Sequence, residues 1–201
     1  MKDKLLVQYL DEVASTDPTR GGGSVSAISG AMGVSLMLMV ARLMASKEKF
    51  ASEHLALNAM INSLETVKES LVDFADQDSK AFESVMEAYR LPKLTEHEKQ
   101  QRSKAIEQAL IKASLIPLHV MQRVSDVAVM MEELLTMCPA SFKSDALVGT
   151  LMLNSAFEGA QMNVKINLDS LANSDEKQQI KQKMDEMSHQ WHYFIQRYQQ
   201  H

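Results

Sequence analysis

Four groups of residues in this 201-residue chain have types and spacings that can do chemistry. The first is Asp17-Pro18-Thr19-Arg20-Gly21-Gly22-Gly23-Ser24, which runs into an apolar segment ending near Ala45. Three glycines let bare backbone approach a ligand or a neighbouring helix, and Ser24 can cap a helix that starts there. The first amides of such a helix sit at the positive end of its dipole, so Gly21, Gly22, Gly23 and Ser24 can hold a carboxylate or phosphate. No Lys follows the glycines and no G-x-G-x-x-G follows a strand, which argues against a nucleotide. A plain turn between two helices fits the same residues.

Asp78 is the second group. It falls on the apolar stripe of its helix, one turn after Phe74 and one before Phe82. An inward carboxylate is costly unless it is paired or used, so the spacing admits either proton transfer or a structural ion pair. The third group is the helical face Asp145, Gly149, Met152, Ala156, Gly159, Asn163 and Asn167. Small residues there leave room for a flat ligand, while a carboxylate and two amides supply hydrogen bonds. Close helix packing with buried Asn side chains is the competing reading. Arg102, one turn before Ile106 on the stripe of its own helix, is the fourth.

Other chemistries have less to stand on. No Ser-His-Asp order, C-x-x-C pair or H-E-x-x-H is present, His119 stands alone, and His189 with His192 lacks a third ligand, so no metal is expected.

The elements that must position these groups read as helices throughout. The chain has 15 Met but only 7 Gly and 4 Pro, and few breakers among many unbranched apolar residues mean long helices. A first amphipathic helix is expected over 2–15, stopped by Asp17-Pro18. Ser24 to Ala45 is apolar almost all round, with Gly30, Ala31 and Gly33 allowing close approach. Its length admits a membrane span, but Arg42, four serines and the lack of a second such segment favour a core or subunit-interface helix. Residues 47–90 form one long or once-broken helix. Thr95 with Glu98 opens the next as a capping box, which Pro117 should kink or split before the pattern resumes to Leu134. Residues 137–143 read as a loop, Ser144 as the cap of a helix from Asp145, and Asn173 as the cap of the last helix, with Glu176 as its partner.

The whole, residues 1–201, is expected to be a single all-α domain, a bundle of about six helices, some long. One domain of this size cannot easily cover the Val25 to Ala45 helix, so a homodimer or larger assembly is expected. The formal net charge of -5 disfavours nucleic acid or an anionic membrane as partner. The lone Cys138 and an N-terminus without a secretory apolar stretch point to the cytoplasm.

In this order and at these separations, the residues resemble the formiminotransferase-cyclodeaminase family, as its stand-alone cyclodeaminase/cyclohydrolase domain. The resemblance is carried by Gly21 to Ala27, Asp78 with Ala81-Phe82, Ala88 to Lys93, Glu98-Lys99 with Arg102, Pro117, Ser144-Asp145, and Gly159-Ala160 through Asn163 to Leu168. It implies an all-helical oligomer acting without metal on a one-carbon tetrahydrofolate derivative. The implied activity is methenyltetrahydrofolate cyclohydrolase, with formiminotetrahydrofolate cyclodeaminase or a non-enzymatic folate-binding or scaffold protein as alternatives. Asp78 and Asp145 would then transfer protons and Arg102 would hold an anion or steady a carboxylate. Gly21 to Ser24, with Asn163 and Asn167, would bind the substrate. Arg20, in place of the family's usual Pro, and the altered loop 138–143 depart from its pattern.

Overall fold

The computed structural model describes residues 5–17, 19–172 and 174–198. Its elements are α1 (Leu6–Val13), α2 (Gly22–Ala45), a 3-10 segment (Glu48–Glu53), α3 (His54–Arg90), α4 (Glu96–Asp126), α5 (Ala128–Met137), α6 (Ala140–Asp169) and α7 (Asp175–Tyr198). No strand occurs among the described residues. Residues 2–4 of the expected first helix, Pro18 as its stop and Asn173 as a cap lie outside them. At the start of α7 the Ser174 Oγ accepts the Lys177 amide at 3.2 Å.

The apolar α2 is the centre of the bundle, gripped by α3 on one side and α6 on the other. By composition it is long and apolar enough to cross a membrane, but Val34, Met37, Leu38, Val40, Ala41 and Met44 are buried in one continuous core. It lies antiparallel on α6. A Cβ added at Gly33 would stand 2.8 Å from the Gly149 carbonyl oxygen, one at Gly30 3.3 Å from the Ala156 Cβ, and one at Gly22 3.2 Å from Asn163 Nδ2. The small face of α6 thus divides. Gly149, Ala156 and Gly159 serve close helix packing, and only Asn163 and Asn167 remain for a cleft.

Three expectations are corrected. Pro117 neither splits nor ends its helix; the break between α4 and α5 falls at Val127. A proline at 117 removes the amide that would bond the Ala113 carbonyl, and Asn167 Nδ2 of α6 donates to that oxygen at 3.0 Å. The orphaned acceptor is satisfied from 54 residues away. The expected loop 137–143 shrinks to Cys138 and Pro139, because the extended Pro139 (φ -61°, ψ 153°) opens α6 at Ala140, five residues before the expected start. Ser144 therefore lies inside α6 and is not its cap. The Thr95/Glu98 capping box forms as read, with reciprocal bonds of 3.2 and 2.8 Å.

Candidate active site

A pocket of about 470 Å³ opens between α3, α4, α6 and the start of α2. Each wall follows from an element already placed. The α3 stripe supplies Asp78, Phe82, Val85, Met86 and Tyr89; α4 supplies Leu110 and Ala113; α6 supplies Asn163, Ile166 and Asn167; and Gly21, Gly22 and Gly23 close one end. Asp78 is the one carboxylate among them. The pocket therefore gathers Asp78, the three glycines and both asparagines from the sequence candidates.

Asp78 sits against the α2 N-terminus, so close that a Cβ on Gly23 would stand 2.2 Å from its Oδ1. That contact explains why position 23 carries no side chain. The Ser24 amide donates to the carboxylate and pulls its pKa down, but burial is the larger influence and holds the group above its ordinary value. One of the amides expected to bind a ligand anion, that of Ser24, is thus already turned toward the chain's own carboxyl. Ser24 is fully buried, its Oγ 3.1 Å from the Tyr9 hydroxyl, and it supports the site from behind. Arg20 is likewise engaged, with Asp76 at 2.9 Å and Glu12 at 3.3 Å.

The two asparagines have assignable orientations. A backbone carbonyl only accepts, so the amino groups must be the atoms that face Gly159 O at 2.7 Å and Ala113 O at 3.0 Å. Both residues line the pocket, and their carbonyl oxygens accept no hydrogen bond from the described residues, so they remain as acceptors that suit N–H groups of a ligand. Asn167 also has the structural duty described above. Asn167→Leu is expected to strand the Ala113 carbonyl and lower stability by about 1–3 kcal/mol, read by urea unfolding without ligand. Wild-type stability in that variant would separate Asn167 from the Pro117 defect.

Besides Ser24, two candidates lie outside the pocket. Arg102 donates through Nε and Nη2 to the Tyr89 carbonyl at 3.2 and 3.1 Å, capping the end of α3 and bracing a residue of the wall. Asp145 is 18 residues before Asn163 on α6, about 27 Å along its axis. The signal that sequence reading missed is the wall formed by Phe82, Met86 and Tyr89: the sequence gives none of the three a binding role and does not single out Met86 at all. Among the described residues, no group of three or more His, Cys, Asp and Glu is placed to hold a metal.

The bundle that carries this site has close counterparts among known proteins. The fold matches the crystal structure of formiminotetrahydrofolate cyclodeaminase from Thermotoga maritima with a TM-score of 0.87 at 28% identity, covering 98% of this chain and 94% of that one. The chain belongs to the formiminotransferase-cyclodeaminase family, whose profile matches residues 6–186. It is 36% identical over 166 residues to the methenyltetrahydrofolate cyclohydrolase of Methylorubrum extorquens, covering 81% of this chain and 78% of that protein. It is also 34% identical over 174 residues to the formimidoyltransferase-cyclodeaminase of Gallus gallus, of which it spans only 32%.

Proposed function

We propose that this chain is a methenyltetrahydrofolate cyclohydrolase. The observation that carries the reading is Asp78, a carboxyl held above its ordinary pKa inside a pocket of ligand size. Hydrolysis begins when a water oxygen bonds to the electrophilic methenyl carbon that bridges N5 and N10, and a carboxylate takes the proton released. The second proton leaves as the C=O bond forms and the bond from carbon to N5 breaks. N5 picks up one proton, so the reaction yields 10-formyltetrahydrofolate and one net proton. A raised pKa brings Asp78 nearer the working pH, where one group can both accept and return a proton. The apolar faces of Phe82 and Tyr89 suit a flat pterin ring, and the carbonyl oxygens of Asn163 and Asn167 suit its N–H groups. Arg102 acts at one remove, by bracing Tyr89.

The likeness to the Thermotoga maritima cyclodeaminase over nearly the whole chain supports a second reading, formiminotetrahydrofolate cyclodeaminase. There the folate nitrogen closes on the formimino carbon and ammonia leaves, with the same demand for a proton acceptor and donor. The deciding assay incubates pure protein with methenyl- and formimino-tetrahydrofolate separately. Turnover of the first supports the cyclohydrolase and turnover of the second alone supports the deaminase. Tight folate binding with turnover of neither leaves a folate-binding protein.

A further inference from the structure

The first amides of a helix have no partner within it, and a side chain at the preceding position commonly caps them. Gly21 holds that position for α2 and has no side chain to offer. The cap comes instead from α3, where the Asp78 carboxylate accepts the Ser24 amide. Asp78 and the start of α2 therefore hold each other, and whatever fixes the start of α2 also fixes the donor that Asp78 meets.

Two side chains outside the pocket do that fixing. Tyr9, the one buried residue of α1, puts its hydroxyl 3.1 Å from the Ser24 Oγ, and burial pushes the phenol above its ordinary pKa, so it keeps its proton. Arg20, directly before the three glycines, lays its guanidinium 5.8 Å from the centroid of the Tyr9 ring. Its Nε donates to Glu12 Oε2 of α1 at 3.3 Å, and its Nη1 donates to Asp76 Oδ1 of α3 at 2.9 Å and to the Ala75 carbonyl at 3.4 Å. The side chain is only 14% exposed. A planar guanidinium can fork between two helices in this way, and a lysine ammonium cannot. Asp76 stands two residues before Asp78, so the arginine ties α1 and the glycine loop to the turn of α3 that carries the carboxyl. Tyr9 interacts electrostatically with Asp78, Asp76 and Arg20, which makes these residues one cluster. The pocket lining from α4 and α6 adds no titratable group, and α2 has none before Arg42.

We propose that Tyr9 and Arg20 are positioning residues for the proton-transfer step: the tyrosine fixes Ser24, the arginine locks the glycine loop between α1 and α3, and together they aim the Ser24 amide at Asp78. Neither touches a reacting atom. Loss of either lets the start of α2 move, takes the amide from the carboxylate and makes the charged form harder to reach. The inference rests on the proposed function for its effect on turnover, though not for its effect on Asp78 itself.

The test follows Asp78 directly, by carbon NMR of its carboxyl through a pH titration, with the signal assigned by its loss in Asp78→Asn. In Tyr9→Phe and Arg20→Met the titration is expected to move to higher pH, and in Arg20→Lys to move less. Turnover of methenyltetrahydrofolate, corrected for the uncatalysed reaction, should fall by roughly tenfold on the acid side of its pH profile, the equilibrium worth of one hydrogen bond to a charged group, and rejoin wild type on the alkaline side. A merely structural defect would lower turnover equally at every pH. Met184→Ala, which truncates a buried side chain of α7, is the control and should lower Tm while moving neither curve. An Asp78 titration unmoved in both Tyr9→Phe and Arg20→Met overturns the proposal, and so does an equal move in Met184→Ala. Wild-type protein that turns over no folate fails the proposed function instead, and the titration still decides the positioning.

Discussion

Asp78→Asn is expected to lower turnover by about 10²–10⁴-fold, the range for losing a positioned acid-base group, while making the protein more resistant to unfolding near neutral pH. The two effects share one cause. In an unfolded chain an Asp titrates near ~3.9, and burial here raises that value while the Ser24 amide only partly opposes it. Below the unfolded pKa the group is neutral in both states and its burial is fully tolerated. As pH rises through the raised folded pKa, stability is lost, because ionisation is harder in the pocket than in the unfolded chain. Asn carries no charge to desolvate and can still accept the Ser24 amide through its carbonyl oxygen. The difference in Tm between Asp78→Asn and wild type should therefore be positive at pH 8 and shrink toward zero near pH 4. Thermal melts across that range check the sign. A variant less stable at pH 8 would mean that the carboxylate is paired and structural, which is the reading the sequence left open.

What could be read in advance was the direction each side chain takes, because helical period fixes that locally. Asp78 could be placed on an inward stripe, Thr95 at a helix start, and Asn163 with Asn167 on a small-residue face. Periodicity does not say what stands opposite. That Asp78 meets Gly23, and that Gly149, Ala156 and Gly159 are spent on α2, depends on which helices pack and at what register. Pro117 shows the limit most plainly. The local rule predicts a break, and the rule fails because Asn167, on another helix, supplies the bond that proline cannot make. Asp145 and Arg102 were grouped with the site because they share a face or a stripe with inward residues. A face 27 Å long reaches past a single pocket.

The largest loss of stability is expected at Gly33. Its added Cβ would meet the Gly149 carbonyl oxygen at 2.8 Å, the Leu153 Cγ at 2.9 Å and the Leu153 amide nitrogen at 3.1 Å. Two of those three atoms are backbone and cannot swing aside, and from the other helix a Cβ on Gly149 would meet the Gly33 oxygen at 3.1 Å. Relief requires α2 and α6 to separate. Overpacking of a tight core costs about 1–3 kcal/mol, and Gly33→Val adds a Cβ and two methyls where the backbones of the main helix pair meet, so about 3 kcal/mol is expected. In a chain of this length that is a fall in Tm of roughly 6–12 °C. Gly30→Ala is the control. Its Cβ would meet the flexible Leu71 Cδ1 at 3.2 Å and the Ala156 Cβ at 3.3 Å, and the helix propensity gained offsets part of the crowding. That change should stay within about 1 kcal/mol. The same helix pair carries Gly22 toward Asn163 at the pocket, so the Gly33→Val protein that remains folded at 20 °C should also bind folate more weakly. Equal melting temperatures for the two variants would show that the α2/α6 contact is looser than its register implies.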